Sequence, residues 1–375
     1  MQVLIVGGGI IGLLTALELS RAGCRVVVLD QAQHGQAASW AGGGILSPLY
    51  PWRYLPAVNR LASLAPMLYG TLAIELLEAT GIDIEINRSG MLILDTEDQR
   101  DALAWALDQA QEPPELLERP QMLQLNPRLN PKFERGLWCK HTANLRNPHL
   151  VKALVKHLDR QPNVKLVRHT SAQQFEWQGD QVRAVIDQQG QRWYADQIVI
   201  ASGAWSGQLA ELIGLQLPIQ PIKGQMILFK AATRWLPSMI MHRGVYLIPR
   251  MDGHILCGST IENVGFDTRI DDQARQHLYQ QAIELAPALA GLSIKDQWAG
   301  VRPAAPNGVP YIGRAPQFRN LWVNAGHFRN GIVLAPASAR LLREQLLGER
   351  PSLPINPYQF SEHLQLQRQQ PLPLA

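Results

Sequence analysis

The residues most able to do chemistry begin with the glycines of Val6-Gly7-Gly8-Gly9-Ile10-Ile11-Gly12, which follow directly on the aliphatic run Val3-Leu4-Ile5-Val6. In a G-x-G-x-x-G set between a buried strand and a helix, Gly7 permits the tight turn. Gly9 lets the backbone approach a pyrophosphate, and Gly12 lets helix and strand pack closely. A helix starting at Ile10 and Ile11 offers unpaired N–H groups and a partial positive charge to the phosphates. The next strand, Val26-Val27-Val28-Leu29, ends in Asp30, whose carboxylate can accept a hydrogen bond from an adenosine ribose hydroxyl. The motif points to an adenine dinucleotide and leaves NAD and FAD both open. A glycine turn that binds nothing would not need the strand, helix, strand and acid around it.

Two further segments bring small residues to strand ends. Ala38-Ser39-Trp40-Ala41-Gly42-Gly43-Gly44-Ile45-Leu46 shows neither helical nor strand period, and its three glycines let a backbone lie flat against something bulky or form a flexible surface loop. Gln197-Ile198-Val199-Ile200 reads as a buried strand running into Ala201-Ser202-Gly203-Ala204-Trp205. Near the end, Trp322 to Ala325 reads as a strand. A polar loop, Gly326-His327-Phe328-Arg329-Asn330-Gly331, and a helix through Leu341, Leu342, Leu346 and Leu347 follow it. A helix N-terminus placed there would stabilise the negative charge of a reduced flavin.

Arg302 sits in Gly300-Val301-Arg302-Pro303, an apolar and restricted setting for a charge. An arginine is costly to bury alone, and its planar fork matches a carboxylate with two parallel hydrogen bonds. A structural salt bridge is the other reading. Tyr246, in the strand Val245-Tyr246-Leu247-Ile248, is either a polar group for the same anion or a core aromatic. Near these residues there is no pair of catalytic carboxylates, nucleophile elbow or metal-ligand cluster, so no metal is expected.

The elements that must position these groups need a sizeable chain. At 375 residues there is room for two domains. Charged residues are 18% and apolar ones 46%, which favours a large core over disorder. The excess of 35 basic over 31 acidic residues gives only +4 with no basic block, so nucleic acid is not an expected partner. Cys24, Cys139 and Cys257 offer neither a disulfide framework nor a CxxC motif and suit a reducing compartment. The longest uncharged apolar run, Val3 to Leu17, falls short of the ~20 residues of a membrane span, and no basic segment precedes it. Neither a membrane partner nor export is therefore expected, and the sequon Asn87-Arg88-Ser89 is read as a chance match.

Other strands are read at Gly90 to Leu94 and Gln225 to Phe229. A hairpin joins Val245-Ile248 to His254-Cys257. Pro113-Pro114 and Gln281 through Pro287 read as connectors, and the Gln-rich end from Glu362 as a mobile tail.

Taken together, VGGGIIG at 6–12, SWAGGGIL at 39–46, ASGAWS at 201–206, PIKGQM at 221–226, GVYLIPR at 244–250, WAGVRP at 298–303, PYIGR at 310–314 and GHFRNGIVLAPA at 326–337 resemble the D-amino acid oxidase superfamily of FAD-dependent oxidases. Within it they are most similar to the glycine oxidases that serve thiazole formation in thiamine synthesis. The resemblance spans Met1 to about Gly348 and implies an α/β fold with a Rossmann-like FAD domain interleaved with an α+β substrate domain on an antiparallel sheet. The FAD domain takes 1–84, 143–218 and 300–365, and the substrate domain 85–142 and 219–299, with 366–375 as tail.

By the same resemblance Arg302 binds the substrate carboxylate, Tyr246 offers its hydroxyl to that group, and Arg329 lies near both flavin and amino acid. The FAD contacts fall to Gly7, Gly9, Ile10, Ile11, Gly12, Asp30, Gln31, Ala38, Ser39, Gly43, Gly44, Ile45, Ala172, Gly203, His327, Phe328, Arg329, Asn330, Gly331, Ile332 and Val333, with Ile45 also in the pocket wall and Ala172 beside the adenine. The implied reaction takes a neutral substrate amine and transfers its α-hydrogen as hydride to the flavin. Dioxygen becomes hydrogen peroxide, and water hydrolyses the imine. Glycine, sarcosine and D-alanine are the expected substrates. Relatives with covalent flavin use a cysteine near the segment that here reads Arg302 to Asn307, and no cysteine follows Cys257, so FAD is expected to be non-covalent. A cytoplasmic homotetramer is implied. The alternatives are a D-amino acid dehydrogenase reducing a quinone, without a basic amphipathic helix to support it, and a protein that keeps FAD without catalysis.

Overall fold

The computed structural model describes residues 1–109 and 112–361; the expected tail lies outside the described residues. The N-terminal aliphatic run forms the strand Gln2–Val6 inside a six-stranded sheet. The strand order is Tyr311–Arg314, Leu321–Ala325, Gln197–Ile200, Gln2–Val6, Arg25–Leu29, Val164–Val167. All neighbours run parallel except Tyr311–Arg314 against Leu321–Ala325.

Both faces of this sheet are covered, which is why its strands read as unbroken aliphatic runs. Val3 and Ile5 join a core with the helices Ile10–Arg21, Asn147–Leu158 and Gly331–Leu346. Leu4 and Val6 face the opposite way, onto Phe175, Val182 and Val185 of a three-stranded sheet, Ala172–Gln178, Gln181–Asp187 and Arg192–Tyr194. The first helix ends as expected, with Gly23 in a left-handed conformation (φ +80°) just past it.

A second, eight-stranded sheet runs Ile294–Ala304, Gln220–Lys230, His254–Gly258, Val245–Pro249, Met239–His242, Met91–Leu94, Arg135–Cys139, Glu115–Glu118. It is antiparallel apart from the pair Met239–His242 and Met91–Leu94. The expected hairpin pairs Leu247 with Cys257. One face carries Leu92, Ile227 and Leu247 under the helix Asp272–Leu285. The other carries Met226, Tyr246 and Leu256. The sheets draw on alternating stretches of chain, and the long strand Ile294–Ala304 runs past residue 300 until Ala304 bridges to His327.

Two local expectations are corrected, and a third is set beside a longer, charge-interrupted helix. Ala38–Ala41 forms a short helix before the glycines rather than irregular chain. Gln281 to Leu285 belongs to the helix Asp272–Leu285, because Leu278, Ala282 and Leu285 make one buried face at helical spacing. The third concerns membrane length: Pro56–Thr80, 25 residues, is apolar and long enough to cross a membrane by length and composition. Arg60, Glu75 and Glu78 interrupt that run in the sequence. In the fold, Tyr69, Leu72 and Leu76 bury one face of it against the core, while Met67, Ile74 and Leu77 stay exposed.

Candidate active site

A cavity of about 920 Å³ lies between the two sheets, reaching from the Gly7 turn and Asp30 to Tyr246, Met226 and Arg302. At the glycine end the backbone itself makes the wall. Gly7 has φ +115°, and a Cβ there would lie 2.4 Å from the Ala201 carbonyl oxygen. A Cβ on Gly12 would lie 1.9 Å from the Gly7 carbonyl oxygen, so helix and turn touch as the motif requires. Gly9, by contrast, faces open space apart from Ser39 Oγ at 3.2 Å. The Ser39 hydroxyl accepts a hydrogen bond from the Ile10 N–H (2.8 Å), which fixes the short helix Ala38–Ala41 against the start of the first long helix.

Asp30 accepts from the N–H groups of Gly8 (2.7 Å) and Ala32 (2.8 Å). Burial holds its carboxyl above the ordinary carboxylate range, and those two hydrogen bonds and His34 only partly offset it. A carboxylate has about four acceptor positions, so a ribose hydroxyl can still be accommodated. Ala172 and Gln31 line the same end.

The triple-glycine loop is clamped from behind. Arg250 is buried and donates to the carbonyls of Gly43 (2.9 Å) and Leu145 (2.6 Å) and to Asn144 Oδ1 (2.8 Å). Burial pulls its guanidinium down to about 10. Asn147 donates to the Ser39 carbonyl, and its Oδ1 would lie 2.3 Å from a Cβ on Gly44. The loop therefore has room for backbone alone, and on its far side the Tyr246 ring is flanked by Gly43 and Gly258.

At the other end two arginines face the cavity without an acidic partner among the described residues. Arg302 donates to Ser259 Oγ (2.7 Å) and to the carbonyls of Thr260 (3.2 Å) and Lys223 (3.4 Å). Burial lowers its pKa, and the Arg329 charge adds to this while the neighbouring Tyr246 hydroxyl opposes it. Arg329 donates to the Gly244 carbonyl at 3.5 Å. Two guanidinium groups held by neutral acceptors in one low-dielectric cavity make a receptor for an anion. His327 adds no charge: burial pushes it down to about 3, and its Nε2 lies 2.9 Å from Ser338 Oγ.

Of the residues singled out in the sequence, all line this cavity except Gly12 and Val333, which are packed behind it in the turn and in the core. Leu49 and Met226 in the wall, Gly224 beneath Arg302, Ser259 and Thr260 as its partners, and the Trp205–Phe266 stack (5.3 Å) were not assigned roles in the sequence. A glycine between Lys223 and Gln225 in a buried strand was the one signal available.

The cavity fits FAD on its own features. Beyond the glycine cradle, Asn324 Oδ1 and Asn330 Nδ2 are buried polar atoms without a hydrogen-bond partner, and both residues line the cavity. An acceptor and a donor left open beside the N-terminus of Gly331–Leu346 suit the imide edge of a flavin ring.

Comparison with known proteins agrees with this geometry. The family model described as DAO, FAD dependent oxidoreductase, matches residues 2–345. Glycine oxidase of Pseudomonas putida is 46% identical over 95% of this chain and 97% of its own length. The bifunctional protein ThiO/ThiG of a Synechocystis species is 32% identical over 94% of this chain, which spans 52% of that longer protein. The crystal structure of glycine oxidase from Geobacillus kaustophilus superposes with a TM-score of 0.90 at 28% identity, covering 95% of this chain and 97% of that one. The chain belongs to the DAO family of FAD-dependent oxidoreductases, and FAD is its cofactor.

Proposed function

We propose that the chain oxidises glycine and other small amines, sarcosine and D-alanine among them, to the imine and then the oxo acid, with dioxygen reduced to hydrogen peroxide. Its relatives' names support a role in supplying thiazole synthesis for thiamine. The observation that carries the reading is the convergence of Arg302, Arg329 and the Tyr246 hydroxyl in one cavity, without a carboxylate partner among the described residues. Bound FAD supplies the two-electron acceptor for the substrate's α-carbon. Arg302 would hold the substrate carboxylate in a two-point grip, with Tyr246 at its side. That grip anchors the substrate at its carboxylate and contributes chiefly by orientation. Leu49, Met226 and Ile45 line the wall with apolar side chains, which suits a small substrate without a charged side chain. With His327 held neutral, no protein group is assigned as a base, and the amine must arrive unprotonated.

The cofactor contacts named from the sequence, from Gly7 to Val333, are part of the same proposal. Non-covalent FAD is supported by the cavity lining, in which no cysteine occurs among the described residues. The interleaved domains, 1–84, 143–218 and 300–365 with 85–142 and 219–299, are supported by the alternating origin of the two sheets' strands. The three free cysteines suit a cytoplasmic location. The exposed stripe Met67, Ile74 and Leu77 suits a face between copies in a homo-oligomer, a homotetramer by resemblance.

Anaerobic addition of glycine, sarcosine and D-amino acids to the yellow protein is expected to bleach its flavin absorbance, and air to return it with peroxide formed. A flavin that stays oxidised would leave a non-catalytic FAD protein. Bleaching without peroxide unless a quinone is added would point to a dehydrogenase.

A further inference from the structure

The acceptors that hold Arg302 come from two places. Lys223 lies on the strand Gln220–Lys230, whereas Ser259 and Thr260 begin the segment 259–271, which links the strand His254–Gly258 to the helix Asp272–Leu285 and contains no helix or regular strand. Such a segment holds a charge in place only if it is itself held. The residues that do this sit in Lys223-Gly224-Gln225. A Cβ on Gly224 would lie 2.1 Å from Arg302 Nη1, so the guanidinium lies directly on that glycine. Lys223 and Gln225, one residue to either side, project to the opposite face by the strand alternation and are buried.

Both take hold of the two ends of 259–271. Lys223 Nζ pairs with Glu262 (3.1 Å) and lies 3.9 Å from Asp271. Gln225 Nε2 donates to Glu262 (3.0 Å) and Asp271 (2.5 Å), and its Oε1 accepts from the Asp271 N–H (3.2 Å). Lys223 and Glu262 also exchange both backbone hydrogen bonds, at 2.9 and 3.0 Å. The Thr260 hydroxyl donates to Glu262 and accepts from the Gln225 N–H (2.8 Å). Burial alone would raise the Glu262 carboxyl, but hydrogen bonds from Thr260, Gln225 and Lys223 outweigh it and keep the carboxyl ionised below its ordinary range.

An ion pair with one partner buried and the other partly exposed, as Lys223 and Glu262 are, contributes little net stability, and its best-attested use is to select one arrangement. Here the arrangement selected is that of Ser259 and Thr260 beneath the guanidinium. We propose that Lys223, Gln225 and Glu262 are positioning residues for carboxylate recognition: they staple the 259–271 segment so that Arg302 presents both of its donors to the substrate. This rests on the reading of Arg302 as the carboxylate-binding residue, and the test separates the two.

Acetate, a carboxylate that cannot be oxidised as an amine, is titrated into the FAD-loaded enzyme by its perturbation of the flavin spectrum, beside KM and kcat for glycine. Glu262→Gln and Lys223→Met are expected to raise the acetate Kd and the glycine KM together by about tenfold, as for one misaligned charge-assisted hydrogen bond, with kcat within about threefold and FAD affinity unchanged. Lys223→Arg is expected to restore most of the affinity. Should Lys223→Met not fold, the near-isosteric Glu262→Gln decides. If Arg302→Lys weakens acetate and Glu262→Gln does not, the staple is refuted and the reading of Arg302 stands. If Arg302→Lys leaves acetate binding unchanged, that reading fails and the staple with it. Loss of FAD in step with acetate affinity would mark a purely structural network and also overturn the proposal.

Discussion

At the Gly7 end of the cavity the wall is backbone, whereas at the Arg302 end it is side chains brought in from four separate stretches of chain, Ile45 and Leu49, Met226, Tyr246, and Arg302 itself, with Ser259 from a fifth holding the guanidinium. The first construction is local. One turn and one helix start, closed within a few residues, make a surface that any dinucleotide phosphate can approach. The second is non-local and specific, because the guanidinium is oriented by partners that the chain reaches only through strand pairing. A defect at the first end should therefore remove the cofactor outright. A defect at the second should leave the protein yellow and degrade its choice of substrate.

The largest expected effect tests the backbone end. Gly9→Val projects its side chain toward the cavity, where Ser39 Oγ at 3.2 Å is its single close neighbour. The fold can accept the substitution, and the loss falls on the ligand: FAD binding should be abolished while far-ultraviolet circular dichroism stays that of the parent. A Gly9→Val protein that purifies with full flavin would show that the pyrophosphate does not lie on this turn.

At the side-chain end, Arg302→Ala is expected to retain FAD and to lose roughly 2–5 kcal/mol of substrate binding, read as a rise in KM for glycine of about thirtyfold or more. Unchanged KM would remove Arg302 from the substrate site. Gly224→Ala is the finer probe of the same region. Its methyl would displace the tip of a flexible arginine rather than backbone, so stability should change by less than about 1 kcal/mol. The KM should still rise about tenfold, because the displaced tip is what must meet the carboxylate. This pairing of small stability loss and clear KM change is what distinguishes a glycine kept for a functional side chain from one kept for the fold.

The same contrast explains how much was legible in the sequence. The Gly7–Gly12 turn, its helix and Asp30 could be placed from spacing, because the contacts of Gly12 with Gly7 and of Gly8 with Asp30 are closed within about thirty residues, even though Gly7 also packs on distant Ala201. Arg302 was conspicuous as a charge among apolar neighbours, but whether it met an acid or stayed open depended on pairings with Ile222 and on Ser259 far along the chain. Lys223 and Gln225 gave no sign of their role, since a strand residue's partners across a sheet leave no local period. The connector expected from Gln281 through Pro287 is helix as far as Leu285, because Leu278, Ala282 and Leu285 share one buried face that no local break signal reveals.

The smallest expected effect concerns acid, and it separates the two ends by sign. Glu262 has its pKa depressed in the fold, so its contribution to stability is fully present above its unfolded value of about 4.3 and is lost as pH falls through the lower folded value. Asp30 is shifted the other way by burial: the fold disfavours its charge, and that penalty disappears as pH falls through its raised pKa. Acidifying the FAD-free protein from neutral should thus first relieve the glycine end and only later loosen the staple beneath Arg302. The difference in Tm between the parent and Glu262→Gln should be largest near neutral pH and should shrink below about pH 4. The difference between the parent and Asp30→Asn should change at higher pH than that. If both differences changed over the same pH interval, the two carboxylates would share one environment, and the division of the cavity into a backbone-built end and a side-chain-built end would lose its electrostatic support.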